Sequence, residues 1–67
     1  MEAKKIGKRI RLARIELDMT QKDLAIDIQA KQKSISRYET GASLPTLETL
    51  EKMAQVLKKP FSYFLDE

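Results

Sequence analysis

The 67-residue sequence predicts an all-α chain of five short helices, on three observations. Apolar residues recur at steps of three and four along the whole length, and no stretch sustains strand alternation. Helix-starting residues, Thr20 and Pro45-Thr46, precede those stripes, and a stopping residue, Gly41, follows one. Cysteine and histidine are absent, so neither disulfides nor the usual zinc ligands supplement the core. A chain of this size is read as one domain, residues 1–67, burying only about 60% of its unfolded surface.

The first helix is predicted over 3–17, because Ile6, Ile10, Ala13 and Leu17 fall on one face. Asp18 is expected to end it, since aspartate tolerates left-handed backbone better than most residues. Thr20 is placed as the N-cap of a second helix over 21–28, with Asp23 adding negative charge near its N-terminus and Leu24, Ala25 and Ile28 facing inward. A break at Gln29 and Ala30 precedes a third helix over 31–39 that buries Ile35 and Tyr38 and stops at Gly41. Pro45 and Thr46 open a fourth, with Leu47, Leu50, Ala54 and Leu57 as its inner stripe. Pro60 opens a fifth that brings Phe61 and Phe64 inward.

Net charge is +3, and the excess is at the front: residues 1–16 carry six basic side chains against two acidic ones. Such a run suits a solvated helix face as well as a polyanion. Apolar runs fall well short of the roughly 20 residues that span a bilayer, and the basic start is not followed by a signal-type apolar stretch. The expectation is a cytoplasmic protein with no membrane partner.

The pair of helices at about 20–39, joined by a short turn, has helix-turn-helix proportions, in which the second helix enters a DNA major groove. On the wheel of that helix, Gln32, Lys33, Ser36 and Arg37 lie opposite Ile35 and Tyr38. An amide suits adenine and a guanidinium forks onto guanine, and no acidic residue interrupts the four. These are also ordinary solvent-facing side chains, so the pattern alone leaves both readings open.

The run Thr20 to Leu57, "TQKDLAIDIQAKQKSISRYETGASLPTLETLEKMAQVL", resembles the Cro/C1-type helix-turn-helix family, also called the xenobiotic-response-element family. Its landmarks are Thr20-Gln21, Leu24-Ala25, Ile35-Ser36-Arg37, Glu39, Gly41, Pro45, Leu47-Glu48-Thr49-Leu50 and Ala54. "IGKRIRLAR" is similar to the family's first helix and "FSYFL" to its fifth. The resemblance implies a lambda-repressor-like fold, and a transcriptional regulator, foremost a repressor, bound as a homodimer to a near-palindromic double-stranded operator in a bacterial or phage setting, at the nucleoid. It implies base reading by Gln32, Lys33, Ser36 and Arg37, and phosphate contacts from Gln21, Lys31, Thr40 and Ser43. Arg14 and Glu39 match a partly buried ion pair between helices one and three. No cofactor, metal or small-molecule ligand is implied, and no catalysis.

Four positions depart from the family pattern. Gln29 and Lys58 stand where glycine is usual, Lys31 where serine or threonine caps helix three, and Ala30 shortens an apolar plug. Ile15 and Ile26 are expected on the outside; with Tyr63, Leu65 and the acidic end Asp66-Glu67 they are candidates for contact with a second protomer or another protein. The rival expectation is accordingly the same fold used as a protein-interaction module, such as an antitoxin or co-regulator.

Overall fold

A computed structural model describes residues 2–65. Its elements are α1 (Ala3–Glu16), α2 (Gln21–Asp27), α3 (Gln32–Thr40), α4 (Leu47–Val56) and α5 (Ser62–Leu65), with no strand among the described residues. None of these helices is long and apolar enough to cross a membrane. The acidic end, Asp66-Glu67, lies outside the described residues.

Local chemistry accounts for most of the boundaries. Thr20 caps α2 with a full capping box: Thr20 Oγ1 accepts from the Asp23 N–H at 3.0 Å, and the Thr20 N–H donates to Asp23 Oδ2 at 2.9 Å. The backbone bond from Thr20, then the Thr20 side chain, holds the Asp23 carboxyl below its ordinary pKa. Because the folded value is the lower one, this contribution is complete above the unfolded carboxyl pKa of about 3.9 and fades as pH falls through the folded value. Thr46 caps α4 in the same manner, accepting from the Thr49 N–H at 3.1 Å.

Three helices close with one motif. After α1 the Met19 N–H reaches Arg14 O at 3.1 Å, after α2 the Ala30 N–H reaches Ala25 O at 2.8 Å, and after α4 the Lys59 N–H reaches Ala54 O at 3.1 Å. Each is the six-to-one bond of a Schellman turn, and each needs a left-handed residue just before it. Those residues are Asp18 (φ 55°), Gln29 (φ 59°) and Lys58 (φ 60°). The departures from glycine at 29 and 58 therefore do not change the backbone; the side chains are carried in the left-handed region at a cost of roughly 1–2 kcal/mol each.

The core is built from Ile6, Ile10, Ala13, Leu24, Ala25, Ile28, Ile35, Leu50, Met53, Ala54, Leu57 and Phe64. Tyr38 and Phe61 are partly buried against it. Two stripe assignments are corrected. Leu17 is exposed, because α1 ends at Glu16 and Leu17, its C-cap, already leaves the helical path. Leu47, the first residue of α4, is 60% exposed, and the inner positions go to Leu50, Met53, Ala54 and Leu57. Helix limits also move: Lys31 is the N-cap of α3 rather than its first residue, and Ile28 and Leu17 are C-caps.

Gly7 lets α1 lie directly on the end of α3. A Cβ there would fall 2.2 Å from the Tyr38 carbonyl oxygen and 2.8 Å from that of Glu39. The glycine costs about 1 kcal/mol of helix propensity, which the close approach of two helices offsets. Two residues further along α1, Arg9 Nη1 donates to the Tyr63 carbonyl at 3.1 Å, and the Arg9 guanidinium and the Lys59 ammonium each stand 4.9 Å from the centre of the Tyr63 ring. These contacts tie α5 back to α1.

Candidate nucleic-acid interface

The nine residues of α3 divide sharply by face. Ile35 and Glu39 are buried and Tyr38 is half-buried, whereas Gln32, Lys33 and Arg37 are exposed and Ser36 is half-exposed. Positions 32, 33, 36 and 37 are one turn apart in pairs, so they form a single outward strip. At 1.5 Å rise per residue the strip is about 7.5 Å long, on the order of two base-pair steps. The N-terminus of α3 is open: Lys31 accepts no side-chain capping bond, and its own side chain is exposed.

Behind the strip, a buried polar joint fixes α3 to the two preceding helices. Arg14 Nε donates to Glu39 Oε2 at 2.6 Å and Arg14 Nη2 to Glu39 Oε1 at 3.0 Å, a bidentate pair. Arg14 Nη1 donates to the Met19 carbonyl at 2.7 Å, and Gln21 Nε2 donates to Glu39 Oε1 at 3.1 Å. The hydrogen bond that Arg14 donates to Glu39 raises the Arg14 pKa above its ordinary value, against the opposing effect of burial. No buried side-chain nitrogen or oxygen among the described residues lacks a partner, so the joint is fully satisfied.

The loop after α3 is shaped by its own candidates. Arg37 Nε donates to Ser43 Oγ at 3.1 Å, while the Ser43 N–H returns to the Arg37 carbonyl at 3.2 Å. Thr40 Oγ1 donates to the Arg37 carbonyl at 3.2 Å and accepts from the Ala42 N–H at 3.4 Å. Gly41 turns the chain at φ 83°, with the α1 residue Lys4 so close that a Cβ would lie 2.8 Å from Lys4 Cγ.

The structure thus brings Gln32, Lys33, Ser36 and Arg37 together, with Lys31 at one end of the strip and Thr40 and Ser43 at the other. Some of the candidates' donors are already engaged: one amide N–H of Gln21 on Glu39, the Arg37 Nε–H on Ser43 and the Thr40 hydroxyl on the Arg37 carbonyl. Of the contact candidates, Ile15 (47%) and Ile26 (64%) are exposed; Tyr63 and Leu65 are half-buried, Tyr63 between Arg9 and Lys59. Sequence reasoning passed over Lys4, which lies against the α3–α4 loop, and Gly7; a glycine inside a helix stripe was the available signal for the latter.

A family model described as Helix-turn-helix matches residues 10–64. A protein of Yarrowia lipolytica named putative multi-protein-binding factor 1 is 40% identical over 52 residues, covering 78% of this chain and 34% of that protein. An uncharacterized HTH-type transcriptional regulator of Sinorhizobium medicae is 32% identical over 62 residues, covering 92% of this chain and 45% of that one. The chain therefore spans between about a third and a half of the length of these relatives. Among solved structures, the restriction-modification controller protein C.AhdI of Aeromonas hydrophila superposes with a TM-score of 0.87 at 22% identity, over 92% of this chain and 94% of that one. An HTH_3 family transcriptional regulator of Vibrio cholerae superposes with a TM-score of 0.86 at 26% identity, over 97% of this chain and 36% of that one. The fold they share with this chain is the all-helical, lambda-repressor-like one.

Proposed function

The chain belongs to the Cro/C1-type helix-turn-helix family, and on that premise we propose that it binds double-stranded DNA sequence-specifically and regulates transcription, with α3 in the major groove. The observation that carries the reading is the outward strip of α3, polar at all four positions and acidic at none, on a helix whose other face is anchored in the core. Gln32 is matched to adenine and Arg37 to guanine by their hydrogen-bonding edges, with Lys33 and Ser36 supporting. Lys31, Thr40 and Ser43, at the two ends of the strip, are suited to phosphates, and Gln21 acts first as a brace on Glu39. Binding of this kind needs no catalytic group, metal or cofactor. A homodimer would set two α3 helices about 34 Å apart on a near-palindromic operator, and occupancy there is the route to repression.

Selection of bound duplexes from a random pool at physiological salt tests this, the expected product being an inverted repeat with half-sites one duplex turn apart. Arg37→Ala is then expected to relax one base position by about 1–3 kcal/mol, whereas Lys31→Ala weakens all duplexes alike and lowers the salt slope by about one. Binding without enrichment would remove the base-reading assignment.

A second reading has its own support. Ile26 is 64% exposed on α2, away from the core, and a relative carries the name multi-protein-binding factor. A protein contact on the same fold accounts for such a residue better than a duplex does.

A further inference from the structure

The face of the molecule that contains Ile26 is a trough. An open cleft of about 560 Å³ is formed where the end of α1, the outer side of α2 and the end of α4 meet. Its apolar lining comes from Leu17, Met19, Ile26 and Val56, and Asp18, Asp23 and Asp27 also line it. A second, smaller cleft of about 150 Å³ lies between α2 and α4 and shares Asp27 and Val56 with the first. The two clefts adjoin at those two residues.

Charge sets this face apart from the rest of the chain. The protein as a whole is +3, but the larger cleft has three carboxylates against one cation, Lys58, and the two clefts together have three carboxylates against Lys52 and Lys58. Clefts lined by one sign of charge concentrate ions of the opposite sign. A phosphate backbone is repelled there, so the trough is no extension of the duplex interface. Leu17, at 38%, and Ile26, at 64%, leave apolar surface that no other described residue covers.

We propose that the trough between the end of α1, α2 and α4 is a docking site for an amphipathic segment of another polypeptide, one with lysine or arginine flanking an apolar anchor. The apolar lining takes the anchor, and the carboxylates pair with the flanking cations. A small apolar ligand would leave those carboxylates unused, and an acidic segment would be repelled by them. The proposal rests on the protein-contact reading rather than the duplex reading, and it shares no residue with the strip on α3. Both partners can therefore be held by one molecule, with DNA on α3 and polypeptide on α2.

The test uses two labelled peptides of about 18 residues, one patterned with leucine and lysine at helical spacing and one with leucine and glutamate. Fluorescence anisotropy should show the lysine peptide binding at least about tenfold tighter, and amide shift changes should centre on Ile26, Asp27 and Val56. Asp27→Lys and Ile26→Ser, both exposed positions, should each reduce that affinity several-fold while melting temperature and duplex affinity stay unchanged. Equal binding of the two peptides, or affinity indifferent to both substitutions, overturns the proposal. Shift changes on another face would retain a protein contact and remove this site; no binding to either peptide would remove both. Self-association in sedimentation that Ile26→Ser abolishes would make the occupant a second copy, and the proposal would be wrong about its partner.

Discussion

The two ends of α3 are held in opposite ways. At its C-terminal end the helix is locked: Glu39 accepts from Arg14 and Gln21, the carbonyls of Tyr38 and Glu39 press on Gly7, and Gly41 turns the chain under Lys4. The N-terminal end is reached through a left-handed glutamine at 29 and begins at a lysine that makes no side-chain cap. Stability is concentrated where the helix leaves the proposed groove, and strain where it enters. Under the proposed function, a helix built this way would keep its axis fixed by the far end and meet the duplex with its first turn, Lys31, Gln32 and Lys33.

Breaking the locked end should have the largest effect. Arg14→Ala leaves the Glu39 carboxylate buried with only the Gln21 amide, and the expected loss is about 3–5 kcal/mol in urea unfolding. A paired replacement, Arg14→Met with Glu39→Leu, should recover most of that, because no charge is then stranded. Recovery by the double variant would show that the joint gives α3 its position more than its stability; failure to recover would show that the shape of the pocket is specific to the ion pair.

Gly7→Ala attacks the same end through sterics. The added Cβ meets backbone oxygen rather than a flexible side chain, so α1 must shift, and a net loss of about 1–3 kcal/mol is expected despite the gain in helix propensity. An unchanged melting midpoint would mean that α1 and α3 slide without penalty.

The entry end should respond in the other direction. Gln29→Gly removes the left-handed strain and should stabilise by about 1 kcal/mol, since the exposed Gln29 side chain has no packing to lose. Lys31→Ser supplies the missing cap and should add up to about 1 kcal/mol. The same substitution removes a cation, so duplex affinity should fall while stability rises. If both quantities rose together, Lys31 would have no place among the phosphate contacts.

Much of the fold was legible because it is local. The Thr20–Asp23 box, the Thr46 cap, the turn at Asp18 and the stop at Gly41 each involve residues within a few positions, so their chemistry can be read along the chain. The outward strip of α3 was legible for a related reason: its polarity is set opposite Ile35, and a helix has a fixed period. Leu17 and Leu47 were misplaced because a stripe gives an inner direction only where the helix continues and a neighbour covers it; one lies past the end of α1 and the other at the start of α4.

The sequence by itself determined the five helices, the caps at Thr20 and Thr46, the stop at Gly41 and the face of α3 turned away from the core, since each follows from backbone hydrogen bonding and apolar spacing over a few residues. Tertiary structure alone decided the rest. Arg14 and Glu39 lie 25 positions apart, and only packing brings the guanidinium within 2.6 Å of the carboxylate. The contact of Gly7 with α3, the bond from Arg37 to Ser43 and the acidic trough beside Ile26 likewise depend on how the helices are set against one another. That arrangement comes from which side chains fill the shared core, and apolar spacing along one helix carries no record of its neighbours.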